Sequence, residues 1–119
     1  MKQIIIADDD PAIREVFNIL LQKHGYGTTI YPDAEALMDN DFELPDLFIL
    51  DKQLSGIDGL DVCRFLKMQE STKNIPVIII SASSFIGESA REAGADDFME
   101  KPFKMKALFE LMEKHLNKN

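Results

Sequence analysis

Acidic side chains follow two of the apolar runs in this sequence. Asp8, Asp9 and Asp10 come directly after the first run, and Asp51 comes directly after the run that ends at Leu50. Carboxylates held close together in a crevice repel one another with incomplete screening by water, so a divalent cation is the natural way to stabilise them. Oxygen ligands of this kind favour magnesium. Asp10 is left out of the predicted site, because its position as a helix N-cap explains it fully.

A hydroxyl group and an ammonium group also lie at or just after the ends of apolar runs, later in the chain. Ser81 ends the apolar run that begins at Val77, and Lys101 and Pro102 follow a short run that ends at Met99. In an open parallel α/β sheet, ligands bind outside the carboxyl ends of the strands. If these runs are strands of one such sheet, the acids, the hydroxyl and the ammonium group converge at one edge.

Short apolar runs alternate with segments of helical period, and this alternation predicts βαβ units around a parallel sheet. Three of the runs are apolar nearly throughout, as strands covered on both faces should be, whereas Thr28 to Tyr31 is more polar and suits an edge strand. The five predicted strands are Gln3 to Ala7, Gly27 to Tyr31, Asp46 to Leu50, Val77 to Ser81 and Asp97 to Met99.

Five helices are predicted between and after these strands. The first is capped by Asp10, has Pro11 at its first position and ends at Gly25. The second runs from Asp33 to about Asn40. A fourth helix, within the range 84–93, is expected to be short or irregular because glycine and serine lower its helix propensity. The predicted buried faces are Ile13, Val16, Phe17, Leu20 and Leu21 in the first helix, Leu60, Val62, Cys63 and Leu66 in the third, and Leu108, Phe109, Leu111, Met112 and Leu116 in the last, which is expected to begin at Phe103.

Composition restricts the class of protein and of partner. The 119 residues fit one domain, and no apolar run is long enough to cross a bilayer. The net charge of −8 argues against a nucleic acid or an anionic membrane as the direct partner. Cys63 is the only cysteine, which excludes an intramolecular disulfide. The amino terminus lacks the cleavage site of a secretory signal, so we expect a cytoplasmic protein.

Five segments taken together resemble the receiver family of two-component response regulators. The resemblance implies a flavodoxin-like, doubly wound (βα)5 fold of three layers with the sheet order 2-1-3-4-5, and a single receiver domain over residues 1–119. The segments, which follow the order and spacing of the family, are Ile5 to Pro11, Leu47 to Asp51, Ile57 to Gly59, Ile79 to Ala82 and Gly94 to Phe103.

The resemblance also implies a metal site and a phosphoacceptor. The family's metal ligands correspond to Asp9, Asp51 and the backbone carbonyl of Gln53, with Asp8 reaching the metal through water. The metal is Mg²⁺, for which Mn²⁺ could substitute. Asp51 corresponds to the residue that takes the phosphoryl group. Physical chemistry agrees, because attack of a carboxylate on phosphorus creates charge on the equatorial oxygens that magnesium and Lys101 can neutralise together.

Further residues follow from the same resemblance. Ser81 corresponds to the hydroxyl residue that hydrogen-bonds a phosphoryl oxygen, and Phe98 to an aromatic switch residue that moves inward with it. Simpler explanations stay open for both, since Phe98 would also pack as a core residue and Ser81 would also be satisfied by backbone. The bond between Lys101 and Pro102 is expected to be cis. The implied partners are a histidine kinase or histidine phosphotransfer protein and a downstream protein that binds the face of the fourth helix, fifth strand and fifth helix.

The sequence departs from the family at two places. The segment after Asp51 lacks the usual proline, which leaves the loop geometry open. The stretch between Ser81 and Lys101 is slightly short, so the output face is expected to be unusual. Nothing in the sequence decides between a stand-alone receiver and an excised part of a longer regulator.

Three other functions are less consistent with the residues. A magnesium-dependent phosphohydrolase needs a second acid two residues after the nucleophile, where Gln53 stands. A flavin-binding module of the same strand order needs a phosphate-binding loop after the first strand, where three aspartates would repel a phosphate. A receiver-like interaction module that is never phosphorylated usually lacks a key residue, and none is missing here.

Overall fold

In the part of the chain that the structure describes, seven strands form two sheets. The computed structural model describes residues 1–117 and places the strands at Gln3–Ala7 (β1), Gly27–Tyr31 (β2), Leu47–Asp51 (β3), Gln53–Leu54 (β4), Ile57–Asp58 (β5), Val77–Ser81 (β6) and Asp97–Glu100 (β7). The five longer strands are parallel and lie in the order β2-β1-β3-β6-β7. This confirms the predicted order 2-1-3-4-5, because β6 and β7 are the fourth and fifth of the longer strands. The half-buried β2 lies at an edge, as its polar residues predicted.

Five helices connect or follow these strands: Pro11–Lys23 (α1), Glu35–Met38 (α2), Gly59–Lys67 (α3), Ile86–Glu92 (α4) and Met105–Leu116 (α5). The Asp10 carboxylate caps α1 by accepting the backbone N–H groups of Ala12 at 2.9 Å and Ile13 at 3.4 Å, as predicted. Within residues 1–117, none of the helices has the length and apolar composition needed to span a membrane. The predicted domain also includes Lys118 and Asn119, which lie outside the described residues.

The helices form two layers, one on each face of the central sheet. Successive strand residues point to opposite faces, so Ile4 and Ile6 pack with α1 and α5, whereas Ile5 and Ala7 pack with α2, α3 and α4. Both faces of β3 and β6 are buried. The three-layer architecture is therefore the predicted one, and the central strands are apolar because helices cover them on both sides.

Several predicted boundaries and buried positions are wrong in detail. α2 begins at Glu35 and ends at Met38, inside the predicted range, and α5 begins at Met105 rather than Phe103. Val16 is 45% exposed, because it lies about 100° around α1 from the buried Phe17 and so misses the sheet. Four further residues assigned to buried faces, Ile13, Leu20, Phe109 and Leu111, are only half-buried.

A short antiparallel hairpin follows β3, where the missing proline left the geometry open. Gln53 pairs with Asp58 and Leu54 with Ile57. Asp58 then caps α3, since its carboxylate accepts the Leu60 N–H at 2.9 Å and the ammonium group of Lys52 at 2.9 Å. The hairpin therefore joins the end of β3 directly to the start of α3.

A polar pair of a buried histidine and a half-buried aspartate connects β7 with the last turn of α5. His115 is 6% exposed, and its Nε2 lies 3.0 Å from Oδ2 of Asp97. Burial raises the pKa of the Asp97 carboxyl, but the His115 hydrogen bond and the N–H of Phe98 lower it more, so the net pKa is below the usual value. The sequence analysis missed this pair, because His115 lies among the apolar residues of the buried face of α5 and nothing in the pattern indicated that it has a polar partner.

Candidate functional site

Three carboxylates meet at the carboxyl edge of the central sheet. Asp8 and Asp9 follow β1, Asp51 ends β3, and the two strands are paired neighbours. One carboxylate oxygen from each residue lies within 4.8 Å of the others. Asp8 and Asp51 are 1% and 6% exposed, whereas Asp9 is exposed to solvent. The fold therefore brings together the acids that the sequence analysis singled out.

The ammonium group of Lys101 lies among these acids. Its Nζ is 2.9 Å from Oδ2 of Asp51 and 3.5 Å from Oδ2 of Asp8. Burial lowers the pKa of Lys101, but the hydrogen bond to Asp51 and the charges of both acids raise it more, so the net pKa lies above its usual value. The amine therefore stays protonated at neutral pH. The peptide bond from Lys101 to Pro102 is cis, the isomer that the resemblance implied.

Asp8 is the most deeply buried acid of the cluster. Burial and the charge of Asp51 raise the pKa of its carboxyl above the usual value, although the Asp10 N–H and Lys101 oppose the shift. The Asp10 N–H donates to Oδ1 of Asp8 at 2.9 Å, and Nη1 of Arg14 donates to its backbone carbonyl at 2.9 Å. Arg14 was not predicted as part of the site, and its sequence position within α1 offered no signal.

The segment after Asp51 shapes the backbone around that residue. The N–H of Gln53 donates to Oδ1 of Asp51 at 3.1 Å, which fixes the orientation of the carboxylate. A Cβ added to Gly59 would collide with the backbone carbonyl of Asp51. Gly59 also donates its N–H to the carbonyl of Lys52 at 2.6 Å. Gly59 is thus a structural requirement of this loop, to which the sequence analysis assigned no role even though it lies in the Ile57 to Gly59 segment.

Ser81 ends β6 at the same edge of the sheet and is 2% exposed. Its Oγ accepts the backbone N–H of Ser83 at 3.0 Å, and its carbonyl accepts the N–H of Lys101 at 2.7 Å. The backbone N–H of Lys52, directly after Asp51, donates to the carbonyl of Ile80 on the same strand at 2.8 Å. The residue before Ser81 is therefore hydrogen-bonded to Lys52, the first residue after Asp51. The Ser81 hydroxyl is oriented by the N–H of Ser83 in the segment that follows β6.

A family model described as the response regulator receiver domain matches residues 4–113. The chain belongs to this family. It is a receiver domain of two-component signal transduction, as the resemblance of its motifs implied.

Relatives and solved structures agree with the assignment. The DNA-binding response regulator MtrA of Mycolicibacterium smegmatis is 34% identical over 121 residues, which cover 99% of this chain and 52% of that protein. This receiver domain thus spans about half the length of the curated relatives it matches. The response regulator TrrA of Thermotoga maritima, solved in complex with Mg²⁺ and BeF, superposes with a TM-score of 0.86 at 32% identity, covering 98% of this chain and 100% of that one. The receiver domain of a sensor histidine kinase from Pseudomonas aeruginosa, with a magnesium ion in its active-site cleft, superposes with a TM-score of 0.88 at 26% identity, covering 98% of each chain.

Beside Lys101, the receiver domain has an apolar groove between α1 and the start of α5. Val16, which is exposed and does not pack in the core, lines this groove, so its apolar side chain contributes to the groove surface. The groove is lined by Ile13, Val16, Phe17, Lys101, Pro102, Phe103 and Met105. Lys101, one of its lining residues, contacts Asp51 through its ammonium group.

Phe98 is half-buried on β7 of the receiver domain, on the face that carries α2, α3 and α4. It pairs in register with Ile79 of β6, two residues before Ser81. Phe98 thus contributes to the core and also lies near the surface that α4 and β7 form, so the packing and switch interpretations both fit its position.

Proposed function

We propose that this receiver domain accepts a phosphoryl group on Asp51 in a magnesium-dependent reaction. The observation that carries the proposal is the position of Lys101 Nζ, 2.9 Å from Oδ2 of Asp51 and beside two further acids. A structural salt bridge would need one acid, whereas a phosphoryl site needs surplus acids for a metal and an ammonium group for the phosphoryl oxygens.

The donor set fits a magnesium ion. Asp9 and Asp51 would bind it directly, Asp8 through water, and the backbone carbonyl of Gln53 would complete the set of oxygen ligands. These oxygens belong to the ligand type that magnesium prefers, and Mn²⁺ suits the same ligands. A bound ion neutralises negative charge on the phosphoryl oxygens. The repulsion among the carboxylates, which the fold tolerates within 4.8 Å, is what such an ion relieves.

The remaining residues act on the phosphoryl group itself. An Asp51 carboxylate oxygen forms the new bond to phosphorus, and the bond from phosphorus to the nitrogen of a phosphohistidine donor breaks, so that the imidazole leaves with the electron pair. Lys101 neutralises charge on an equatorial oxygen. The Ser81 hydroxyl, whose Oγ accepts the Ser83 N–H, donates its own proton to a phosphoryl oxygen, and Phe98 moves in response.

The proposed phosphodonor is a histidine kinase or a histidine phosphotransfer protein. The apolar groove supports this, because it offers an apolar surface for a partner and is lined in part by Lys101, whose ammonium group contacts Asp51. The downstream protein is proposed to bind the face formed by α4, β7 and α5. The curated relatives are about twice as long, so we assign any DNA contact to segments beyond the receiver domain, in agreement with the charge of −8.

Intact mass after incubation with acetyl phosphate and Mg²⁺ tests the proposal. Wild type should gain one phosphoryl group, and Asp51→Asn should gain none. Lys101→Ala should still bind magnesium and still take up phosphoryl groups, but should lose the amide chemical-shift changes around Phe98 and α4 that phosphorylation causes in wild type. Labelling that survives in Asp51→Asn would overturn the assignment of the phosphoacceptor. Wild-type shift changes in phosphorylated Lys101→Ala would overturn the role of the lysine.

The same measurement separates the alternatives. A receiver-like module that only binds partners would gain no mass under any of these conditions. A phosphohydrolase would turn over the phosphodonor well beyond the decay of its own aspartyl phosphate, and the proposed signalling domain should hydrolyse no more than that.

A further inference from the structure

The ring of Phe98 lies directly against the backbone of Gly87 in α4. A Cβ placed on Gly87 would be 2.7 Å from Cζ of Phe98 and 3.1 Å from its Cε1, closer than side-chain atoms pack. The ring therefore occupies space that only a glycine leaves free. We call this space, bounded by Gly87 and Arg91 of α4, the ring socket.

The backbone conformation of Gly87 does not require a glycine. Gly25, Gly56 and Gly94 have positive φ angles, whereas Gly87 lies inside a helix without one. Glycine weakens a helix relative to alanine, and α4 is a short helix that would gain from alanine. The space for the Phe98 ring is the structural reason for this glycine.

Arg91 forms the other side of the ring socket. It lies one helical turn after Gly87, and its guanidinium carbon is 5.8 Å from the centroid of the Phe98 ring. This distance lies within the range of a cation–π interaction. α4 thus offers the ring both a gap and a cation, and both come from the same face of the helix.

A short segment links the ring socket to the proposed phosphorylation site. Ser81 is separated from the start of α4 by only the range 82–85. Within this segment the Ser83 N–H donates to Oγ of Ser81 at 3.0 Å, and the Ser84 hydroxyl donates to the Glu100 carboxylate at 3.0 Å. A change in the hydrogen bond of Ser81 therefore acts on the segment that carries Gly87.

We propose that Gly87 and Arg91 are positioning residues that hold the Phe98 ring in one of two positions, so that filling the ring socket removes that position. The inference rests on the proposed function, because the second position is the one that phosphorylation of Asp51 favours. Neither residue takes part in the chemistry at Asp51. Their effect lies in the coupling between that chemistry and the surface of α4 and β7.

Four variants and a control test the inference. Gly87→Ala fills the ring socket, Phe98→Leu removes the ring, and the double variant combines the two. Ser89→Ala, at an exposed position of the same helix, is the matched control for helix propensity. Arg91→Gln removes the cation while keeping a long side chain.

Thermal melts ask whether the ring occupies the socket. Gly87→Ala should lower the melting temperature in the wild-type background and raise it in the Phe98→Leu background, where only the gain in helix propensity remains. Ser89→Ala should shift both backgrounds equally. If Gly87→Ala raises the melting temperature in both backgrounds, the ring does not rest on Gly87 and the inference is overturned, whatever happens at Asp51.

Side-chain NMR and intact mass ask whether the socket belongs to a switch. The Phe98 ring signals, assigned by their loss in Phe98→Leu, should shift in wild type after acetyl phosphate and Mg²⁺ add a phosphoryl group. Gly87→Ala should take up the same mass, while its ring signals are displaced from the start and lose most of the response. Arg91→Gln should displace them in the same direction.

The added mass and the ring signals together distinguish failure of the proposed function from failure of the inference. No added mass in wild type would overturn the proposed function. Added mass with a full ring response in Gly87→Ala would overturn the inference alone. Loss of added mass in Gly87→Ala only would also overturn it, because Gly87 would then act on the chemistry and not on the coupling.

Discussion

Neutralising Asp9 should stabilise this receiver domain when no divalent metal is present. Its carboxylate lies within 4.8 Å of those of Asp8 and Asp51. Like charges about 4.8 Å apart repel by about 3.5 kcal/mol at an effective dielectric of about 20 and by about 1 kcal/mol in bulk water. Because Asp9 is exposed and Lys101 offsets part of the repulsion, we expect Asp9→Asn to raise the free energy of unfolding by about 1–2 kcal/mol.

Thermal melts at neutral pH and fixed ionic strength, with chelator or with millimolar Mg²⁺, measure this effect. In chelator, Asp9→Asn should melt about 5–10 °C above wild type, since about 1 kcal/mol shifts the melting temperature of a domain this size by roughly 5 °C. In Mg²⁺ at about ten times the dissociation constant, wild type should gain about 1.4 kcal/mol. The variant should gain far less, because Asp9 is a proposed ligand. The Asp9 carboxylate therefore lowers the stability of the folded state by charge repulsion without metal and raises it by binding the ion when Mg²⁺ is present.

Two further variants sharpen the test. Asp10→Asn is the matched control, because Asp10 lies beside the cluster and asparagine caps a helix as well as aspartate does; it should change little. Asp51→Asn should stabilise less than Asp9→Asn, since it also loses the 2.9 Å contact with Lys101. The reasoning is refuted if Asp9→Asn melts below wild type in chelator and gains as much from magnesium.

Three other predictions follow from single contacts. Gly59→Ala places a Cβ against the Asp51 carbonyl, so urea denaturation should show a loss of about 1–3 kcal/mol, and wild-type stability would contradict the collision. Burial raises the pKa of Asp97, but the hydrogen bonds from His115 and the Phe98 N–H, together with the charge of Lys114, lower it more. The Asp97 carboxylate therefore stabilises the folded state above its unfolded pKa of about 3.9 and ceases to do so as pH falls through the lower folded pKa. The stability difference between wild type and Asp97→Asn should therefore shrink as pH falls below about pH 4; a difference that persists unchanged in acid would be inconsistent with the shift. Burial raises the pKa of Cys63 to about 11, so iodoacetamide should label it slowly near pH 8 and rapidly in denaturant, and equal rates would show that the thiol is accessible.

The elements were predictable from local patterns and the order of the strands from the family resemblance, but the exact faces of the helices were not. Apolar runs and caps mark elements through local rules, and the Asp10 cap of α1 was predicted correctly for that reason. The exposure of Val16 depends on how α1 is rotated against the sheet, which involves residues far away in sequence. Burial of His115 likewise depends on Asp97, which approaches it only in the folded chain.

The acids, the hydroxyl and the lysine of the site could be located from the sequence, because parallel strands end at one edge and each of these residues ends a strand or closely follows one. The residues that were missed act through backbone contacts. Gly59 and Gly87 matter for what a Cβ would strike, namely the Asp51 carbonyl and the Phe98 ring. These contacts join residues of different secondary-structure elements, so no pattern within one helix or strand marks them.

The charge balance of the cluster explains why Lys101 alone does not complete the site. Its ammonium group contacts Asp51 and Asp8 at once, yet three carboxylates share one positive charge. If stability were the only requirement, a single buried acid would pair with the lysine and the others would be replaced by neutral residues. The additional carboxylates are useful only if further positive charge enters the site. A phosphoryl group would add negative charge, so under the proposed function the additional positive charge comes from a cation. In the proposed site, Lys101 and the surplus acids are therefore interdependent: the acids would attract the cation, and the lysine offsets part of the repulsion between the two buried carboxylates.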